Sequence, residues 1–303
     1  MEKRTYSVPS KGVELQAYTW GDSSRTPIVL LHGYPDNHLV WQSVAERLSQ
    51  NFYVVSYDMR GAGASSKPKG RKHYQFHLLE ADFTAVAKVL LAGRSFHLAG
   101  HDWGSIQGWE FITSGEMQSR ILSYTSISGP CLDHAAYWFR ARFNKKGASA
   151  LLGQTLNSWY IALFQLPWLP EAMWHAGLGA RWPWFLKQAE GVQEVEVNPY
   201  QTSDGAMGVW LYRANMLPTL CKPQERYAHC PVQLLVPTQD RYVSAALFDD
   251  LPRWVPELYR TDVEAGHWLT LSSPELVANK LSRFVQAVEV GETEAIMRDE
   301  RVR

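Results

Sequence analysis

Residues 96–105 read Phe-His-Leu-Ala-Gly-His-Asp-Trp-Gly-Ser, an apolar, strand-like run that stops on an aspartate enclosed by small residues. The pattern Gly100, x, Asp102, x, Gly104, Ser105 is what a tight strand-to-helix turn requires, because its first and last members must let the two backbones approach closely. The side chain at the apex is then pushed toward solvent or substrate. In the Gly-x-Ser-x-Gly form of this turn the apex is a serine that needs a base. Here it is a carboxylate, which needs no base to become a nucleophile at neutral pH.

Such a turn calls for a parallel sheet around it, and the flanking sequence supplies one. Pro27–Leu31, Phe52–Tyr57, 95–99 and 121–127 are short apolar runs typical of strands covered on both faces. Helical spacing lies between them, with Val40, Val44, Ala45 and Leu48 on one face of 37–50 and a second helix near 78–91. This alternation predicts an α/β fold class, a mostly parallel, right-handed sheet with helices on both sides. Residues 4–9 and 13–20 alternate around Lys11-Gly12 and predict an antiparallel hairpin at the sheet edge. Strand sequence returns at Val232–Pro237 and Leu258–Glu264, and an amphipathic helix covers 274–290.

The alternation stops after Gly129-Pro130. From 131 to 222 the chain has aromatic and aliphatic helix-like segments punctuated by Pro167, Pro170, Pro183, Pro199 and Pro218, and seven of its 13 tryptophans. A helical lid over the carboxyl edge of the sheet is the simplest arrangement. The expected organisation is a core of 1–130 and 223–290, a lid of 131–222, and a charged tail or linker over 291–303.

Thirty basic residues balance thirty acidic ones, which argues against nucleic acid or an anionic membrane surface as partner. Three cysteines make a disulfide framework improbable, and no ligand spacing suggests a metal. With neither a signal core nor a membrane span in the sequence, a soluble, cytoplasmic protein is expected.

An enzyme that attacks with a carboxylate must then free itself, which calls for a base and a partner to orient it. His267, in Glu-Ala-Gly-His-Trp, follows the last expected strand, and Asp240, in Pro-Thr-Gln-Asp-Arg-Tyr-Val, follows the one before. Taken singly, Asp240 reads equally well as a helix cap and His267 as a turn residue. Their joint order after Asp102 is the nucleophile, acid, histidine order of α/β-hydrolases. His32-Gly33-Tyr34-Pro35 ends the first core strand, so the amides of Tyr34 and Trp103 are candidates for an oxyanion hole. The loop 58–65 is rich in glycine but lacks the Gly-Lys-Ser/Thr ending of a phosphate loop, and reads as structural.

His-Gly-x-Pro, Asp-x-Arg-Gly-x-Gly-x-Ser, Gly-His-Asp-Trp-Gly and Gly-His-Trp together resemble the α/β-hydrolase-fold epoxide hydrolases over nearly the whole chain. Within that family the chain most resembles the hydrolase half of fusions with a short-chain dehydrogenase, for which the charged tail would be a linker. The resemblance implies a small hydrophobic epoxide as substrate, no metal or organic cofactor, and a monomer or homodimer. It also implies two lid tyrosines as proton donors. Trp159-Tyr160-Ile161 and Trp210-Leu211-Tyr212 match the family's stretches and point to Tyr160 and Tyr212, which would otherwise read as aromatic packing. Haloalkane dehalogenases and a β-lactone decarboxylase share the aspartate nucleophile. Dehalogenases more often carry Asn where this chain has Tyr34, and a non-enzymatic relative would be expected to have lost Asp102, Asp240 or His267.

Overall fold

The computed structural model describes residues 2–143 and 147–302. Eight strands form one sheet in the order β1-β2-β4-β3-β5-β6-β7-β8. β1 (Arg4–Ser10) and β2 (Val13–Trp20) make the edge hairpin, and β2 runs antiparallel to β4 (Tyr53–Tyr57). From β4 onward all neighbours are parallel: β3 (Pro27–Leu31), β5 (Phe96–His101), β6 (Ile121–Ile127), β7 (Val232–Pro237) and β8 (Leu258–Val263). Because β4 lies on one side of β3 and β5 on the other, the strand order reverses at β3. A crevice opens there at the carboxyl ends, where ligands bind in sheets of this kind.

Every residue of β3, β4 and β5 is buried, and the period of two sorts their side chains between two apolar layers. Ile28, Leu30 and Val54 join a cluster with Val44 and Leu48 of α1 (Gln42–Leu48) and Val277, Leu281 and Val285 of α11 (Pro274–Glu289). Val29, Leu31 and Val55 join a second cluster with Phe83 and Val86 of α2 (Phe76–Leu91) and Trp109 and Ile112 of α3 (Trp103–Ser114). Both faces of the sheet are therefore covered, which explains its unbroken apolar strands.

Between β6 and β7 the described residues form α4 (Leu132–Ala141), α5 (Ala148–Asn157), α6 (Trp159–Gln165), α7 (Leu169–Met173), α8 (Gly179–Ala189) and α9 (Gln201–Cys221), without a strand. Trp174, Trp182, Val209 and Tyr212 of this segment belong to the same apolar cluster as Ile28 and Leu30, so the insertion and the sheet share a core. The prolines punctuate it less than expected. Pro170 opens α7, whereas Pro183 and Pro218 lie inside α8 and α9. Pro183 sits in the second turn of α8 and Pro218 in the last turn of α9, each removing one intrahelical backbone bond without ending its helix at that residue.

After α10 (Leu269–Ser272) and α11 the charge-rich stretch expected as a tail or linker packs back on the core within residues 291–302. A short helix, α12 (Thr293–Ile296), puts Met297 fully buried against Tyr259 and Phe284. Glu300 pairs with Lys280 and Arg283, and the Val302 N–H donates to the Leu258 carbonyl at 2.9 Å. Two adjacent apolar residues, Ile296-Met297, fasten this charge-rich stretch to α11 and β8.

Candidate active site

Asp102 stands between β5 and α3 with φ 52° and ψ −120°, a left-handed backbone that a non-glycine residue adopts only when its surroundings enforce it. The enforcement is close packing. A Cβ at Gly104 would run into the carbonyl oxygens of Leu31 and His32, so only glycine lets α3 start this near the end of β3. The turn holds the Asp102 side chain at 7% exposure.

Its two carboxylate oxygens have different neighbours. Oδ1 accepts the Tyr34 backbone N–H at 2.6 Å, and Oδ2 lies 3.6 Å from His267 Nε2. Trp103, the first residue of α3, has a backbone N–H of the class that lacks an intrahelical partner. His267 follows β8 and Asp240 follows β7. His267 Nδ1 donates to Asp240 Oδ2 at 2.8 Å, and Asp240 Oδ1 accepts the amides of Tyr242 and Val243 at 2.8 and 3.0 Å. Burial alone would lower the His267 pKa, but the charges of Asp240 and Asp102 outweigh it and hold the imidazole well above its usual range. Asp240 shows the reverse balance. Burial pushes it up, and the His267 charge and three hydrogen bonds bring it below the usual carboxylate value.

Tyr160 on α6 and Tyr212 on α9 face each other edge-on, ring centroids 5.9 Å apart. Tyr212 also packs edge-on against Tyr34 and Trp103. Both phenols are pushed up, first by burial, with the Asp102 charge contributing to each. With Asp102, Trp159 and Tyr242 they border two cavities. A cavity of about 220 Å³ runs toward Phe164, Trp174 and Trp182, and one of about 550 Å³ runs toward Leu132, Phe139 and Leu247. All seven residues expected from the sequence therefore meet at one crevice, and all but Asp240 line these cavities.

The seven tryptophans of the insertion divide four ways. Trp159, Trp174 and Trp182 line the cavities. Trp138 is fully buried beside Leu247, whereas Trp168 and Trp184 face outward at 80% and 66% exposure. Trp210 packs under the Arg213 guanidinium.

Several residues around the site support it in ways that the motifs alone do not state. His101, pushed down to about 4 by burial and thus a neutral imidazole, donates Nε2–H to the His267 carbonyl at 3.0 Å, and Ser128 Oγ donates to it at 3.2 Å. Trp268 Nε1–H donates to Asp36 Oδ2 at 2.8 Å, and Trp174 Nε1–H to the Tyr34 hydroxyl at 2.8 Å. Tyr242, two residues past Asp240, packs edge-on against both His267 and Tyr160. The 58–65 loop is structural, as expected, with Asp58 accepting from His38, Tyr18 and Ala64.

Among the described residues no group of three His, Cys, Asp or Glu is arranged to hold a metal ion. No helix among them is long and apolar enough to cross a membrane. The chemistry available is that of a fixed carboxylate, an imidazole oriented by a second carboxylate, and two phenols above them.

A family model described as the alpha/beta hydrolase fold matches residues 26–274. The chain belongs to that family. It is 32% identical to the "Probable oxidoreductase EphD" of Mycobacterium tuberculosis over 291 residues, which cover 92% of this chain and 48% of that protein. The chain thus spans about half the length of that relative. To "Epoxide hydrolase 3" of Xenopus tropicalis it is 26% identical over 292 residues, covering 90% and 74% of the two chains. Among solved structures, an epoxide hydrolase of Bacillus megaterium in complex with an inhibitor superposes with a TM-score of 0.79 at 24% identity, covering 93% of this chain and 100% of that one. At that identity the likeness is one of fold.

Proposed function

We propose that this chain hydrolyses apolar epoxides to vicinal diols through a covalent ester on Asp102. The observation that carries the reading is the pair of phenols, Tyr160 and Tyr212, on the walls of the same crevice as the Asp102 carboxylate. An epoxide carbon leaves its oxygen as an alkoxide, which needs a proton, whereas a halide leaves without one. Phenols suit the first task. The chain is 32% identical to a protein named as a probable oxidoreductase, of which it spans about half, and a further relative is named as an epoxide hydrolase, which supports a hydrolase reading.

In this reading Asp102 Oδ2 attacks one ring carbon, the C–O bond breaks, and the departing oxygen takes a phenolic proton. The alkylated Asp102 no longer carries charge. Because that charge is one cause of the raised pKa of both phenols and of His267, its loss makes the phenols better acids as the alkoxide forms and leaves the imidazole a freer base. His267 Nε2 then takes a proton from water as the water oxygen bonds to Asp102 Cγ. Negative charge gathers on Oδ1, which the Tyr34 amide already contacts and to which the Trp103 amide is the second candidate donor. On collapse the Cγ–O bond to the diol breaks, the diol oxygen takes the imidazolium proton, and the remaining proton of the water restores the phenol.

The helices of 131–222 act as the lid over a core of 1–130 and 223–290, and the tryptophans and aliphatic residues lining the two cavities select apolar substrates. Assay of purified protein against styrene-type, terminal and internal fatty epoxides and against 1-haloalkanes tests the reading. Diol formation supports it. Halide release without diol formation would replace it with a dehalogenase.

A further inference from the structure

We infer that Glu190, contributed by the helical insertion, positions His267 for the step in which water cleaves the Asp102 ester. This role rests on the function proposed above. Glu190 caps the C-terminal end of α8 in the polar run Lys-Gln-Ala-Glu-Gly, where a solvated side chain would be expected. It is instead buried at 8% exposure. The chain folds back after it, with the Val192 N–H donating to the Leu186 carbonyl at 3.2 Å and Val192 itself buried in the shared core.

The inward carboxylate meets the histidine loop. Glu190 Oε2 accepts the His267 backbone N–H at 2.7 Å, and the Trp268 amide is a further backbone donor to the same carboxylate. β8 has ended at Val263, so these amides lie beyond the strand's pairing with β7. The approach is close enough that a Cβ at Gly266 would meet the end of the Glu190 side chain. A buried carboxylate is costly unless it is paired. Burial raises the Glu190 pKa, and the His267 charge and the two amide bonds draw it back.

The other anchors of this loop come from the core: His101 and Ser128 on the His267 carbonyl and Asp36 on the Trp268 indole. Glu190 adds a grip from the insertion and, beside Asp102 and Asp240, a further carboxylate near the imidazole. Alkylation of Asp102 leaves His267 a bystander. Ester hydrolysis makes it accept a proton, and a carboxylate that fixes its backbone and stabilises the imidazolium acts on that step. The charged and titratable groups facing His267 are Asp102, Asp240, Glu190, Asp36, His101 and Tyr242.

The test is stopped-flow and steady-state kinetics of the whole chain on an epoxide that the parent turns over, with Glu190→Gln and Glu190→Ala. Glu190→Ala should lower kcat about tenfold or more, the scale seen when a group orienting a reactive histidine is lost. KM should fall with it as ester accumulates, so that kcat/KM, which reports the steps through alkylation, changes little. Glu190→Gln keeps an acceptor for the amides and loses the charge. It should recover most of kcat while the pH profile of ester hydrolysis shifts to lower pH. Parental kcat and an unshifted profile in both variants, or a parallel fall of alkylation and hydrolysis, would overturn the inference alone. A parent that turns over epoxide without forming an ester would overturn the proposed chemistry, and this role with it.

Discussion

The Tyr34 amide donates to Asp102 Oδ1 at 2.6 Å, while Asp102 Oδ2 stands 3.6 Å from His267 Nε2. One carboxylate thus has two unlike oxygens before any substrate arrives. In the proposed mechanism the oxygen under the amide becomes the oxyanion, and the other is left beside the imidazole with only a longer contact. An oxygen without a strong hydrogen bond is the better nucleophile, which assigns attack to Oδ2.

The phenols should behave as a unit. Either Tyr160→Phe or Tyr212→Phe alone leaves one donor on the alkoxide and should slow alkylation about tenfold. Losing both should cost on the order of 10²–10⁴, the range for a general acid. Rapid-quench measurement of ester formation in the two single variants and the double variant checks this. A double variant with parental epoxide turnover would make the tyrosines packing residues.

His267→Gln should still be alkylated but should not turn over. Intact-protein mass spectrometry after incubation with substrate should find a stoichiometric adduct, mapped by peptide to Asp102. Parental steady-state turnover in this variant would remove His267 from the mechanism.

Much of this site was legible in the sequence because each piece is a local backbone requirement. The elbow at Asp102 needs small residues at fixed spacings, and the loops bearing Asp240 and His267 follow apolar strands whose burial on both faces fixes where they end. The Tyr160 and Tyr212 positions came from resemblance, since helical aromatic spacing alone does not separate a proton donor from core packing. Glu190 was invisible because its partner lies 77 residues away and only the fold-back at Val192 turns it inward. The packing of the terminal segment was hidden for a related reason. Its composition is that of a tail, yet Met297 is buried.

The raised pKa of His267 links the site to stability. A histidine whose folded pKa lies above its unfolded value contributes stability that is fully present below the unfolded pKa and is lost as pH rises through the folded one. The unfolded value is about 6.5, so the Tm advantage of the parent over His267→Gln should be greatest near pH 6 and should shrink as pH rises past neutral. Differential scanning fluorimetry across pH measures it. An advantage that grows with pH would mean that burial, not Asp240 and Asp102, governs the imidazole.

Substrate length should matter because the cavities are apolar and together extend well beyond an oxirane ring. Each buried methylene contributes about 0.8 kcal/mol, so two more carbons should raise kcat/KM roughly tenfold until the cavities are filled. A series of 1,2-epoxyalkanes compared with glycidol checks this. A flat or falling series would mean that Trp159, Trp174 and Trp182 are scaffold.

The covalent ester is the central claim, and the fate of the water oxygen tests it most directly. In a single turnover with enzyme in excess, in water enriched in heavy oxygen, hydrolysis of the ester at Cγ puts the label into the Asp102 carboxylate, and the diol carries an unlabelled oxygen from the enzyme. The account predicts labelled Asp102 in the peptide containing residues 96–105 and unlabelled first-turnover diol. Label in the diol alone, with Asp102 unlabelled, would mean that water attacks the epoxide directly and would contradict the account.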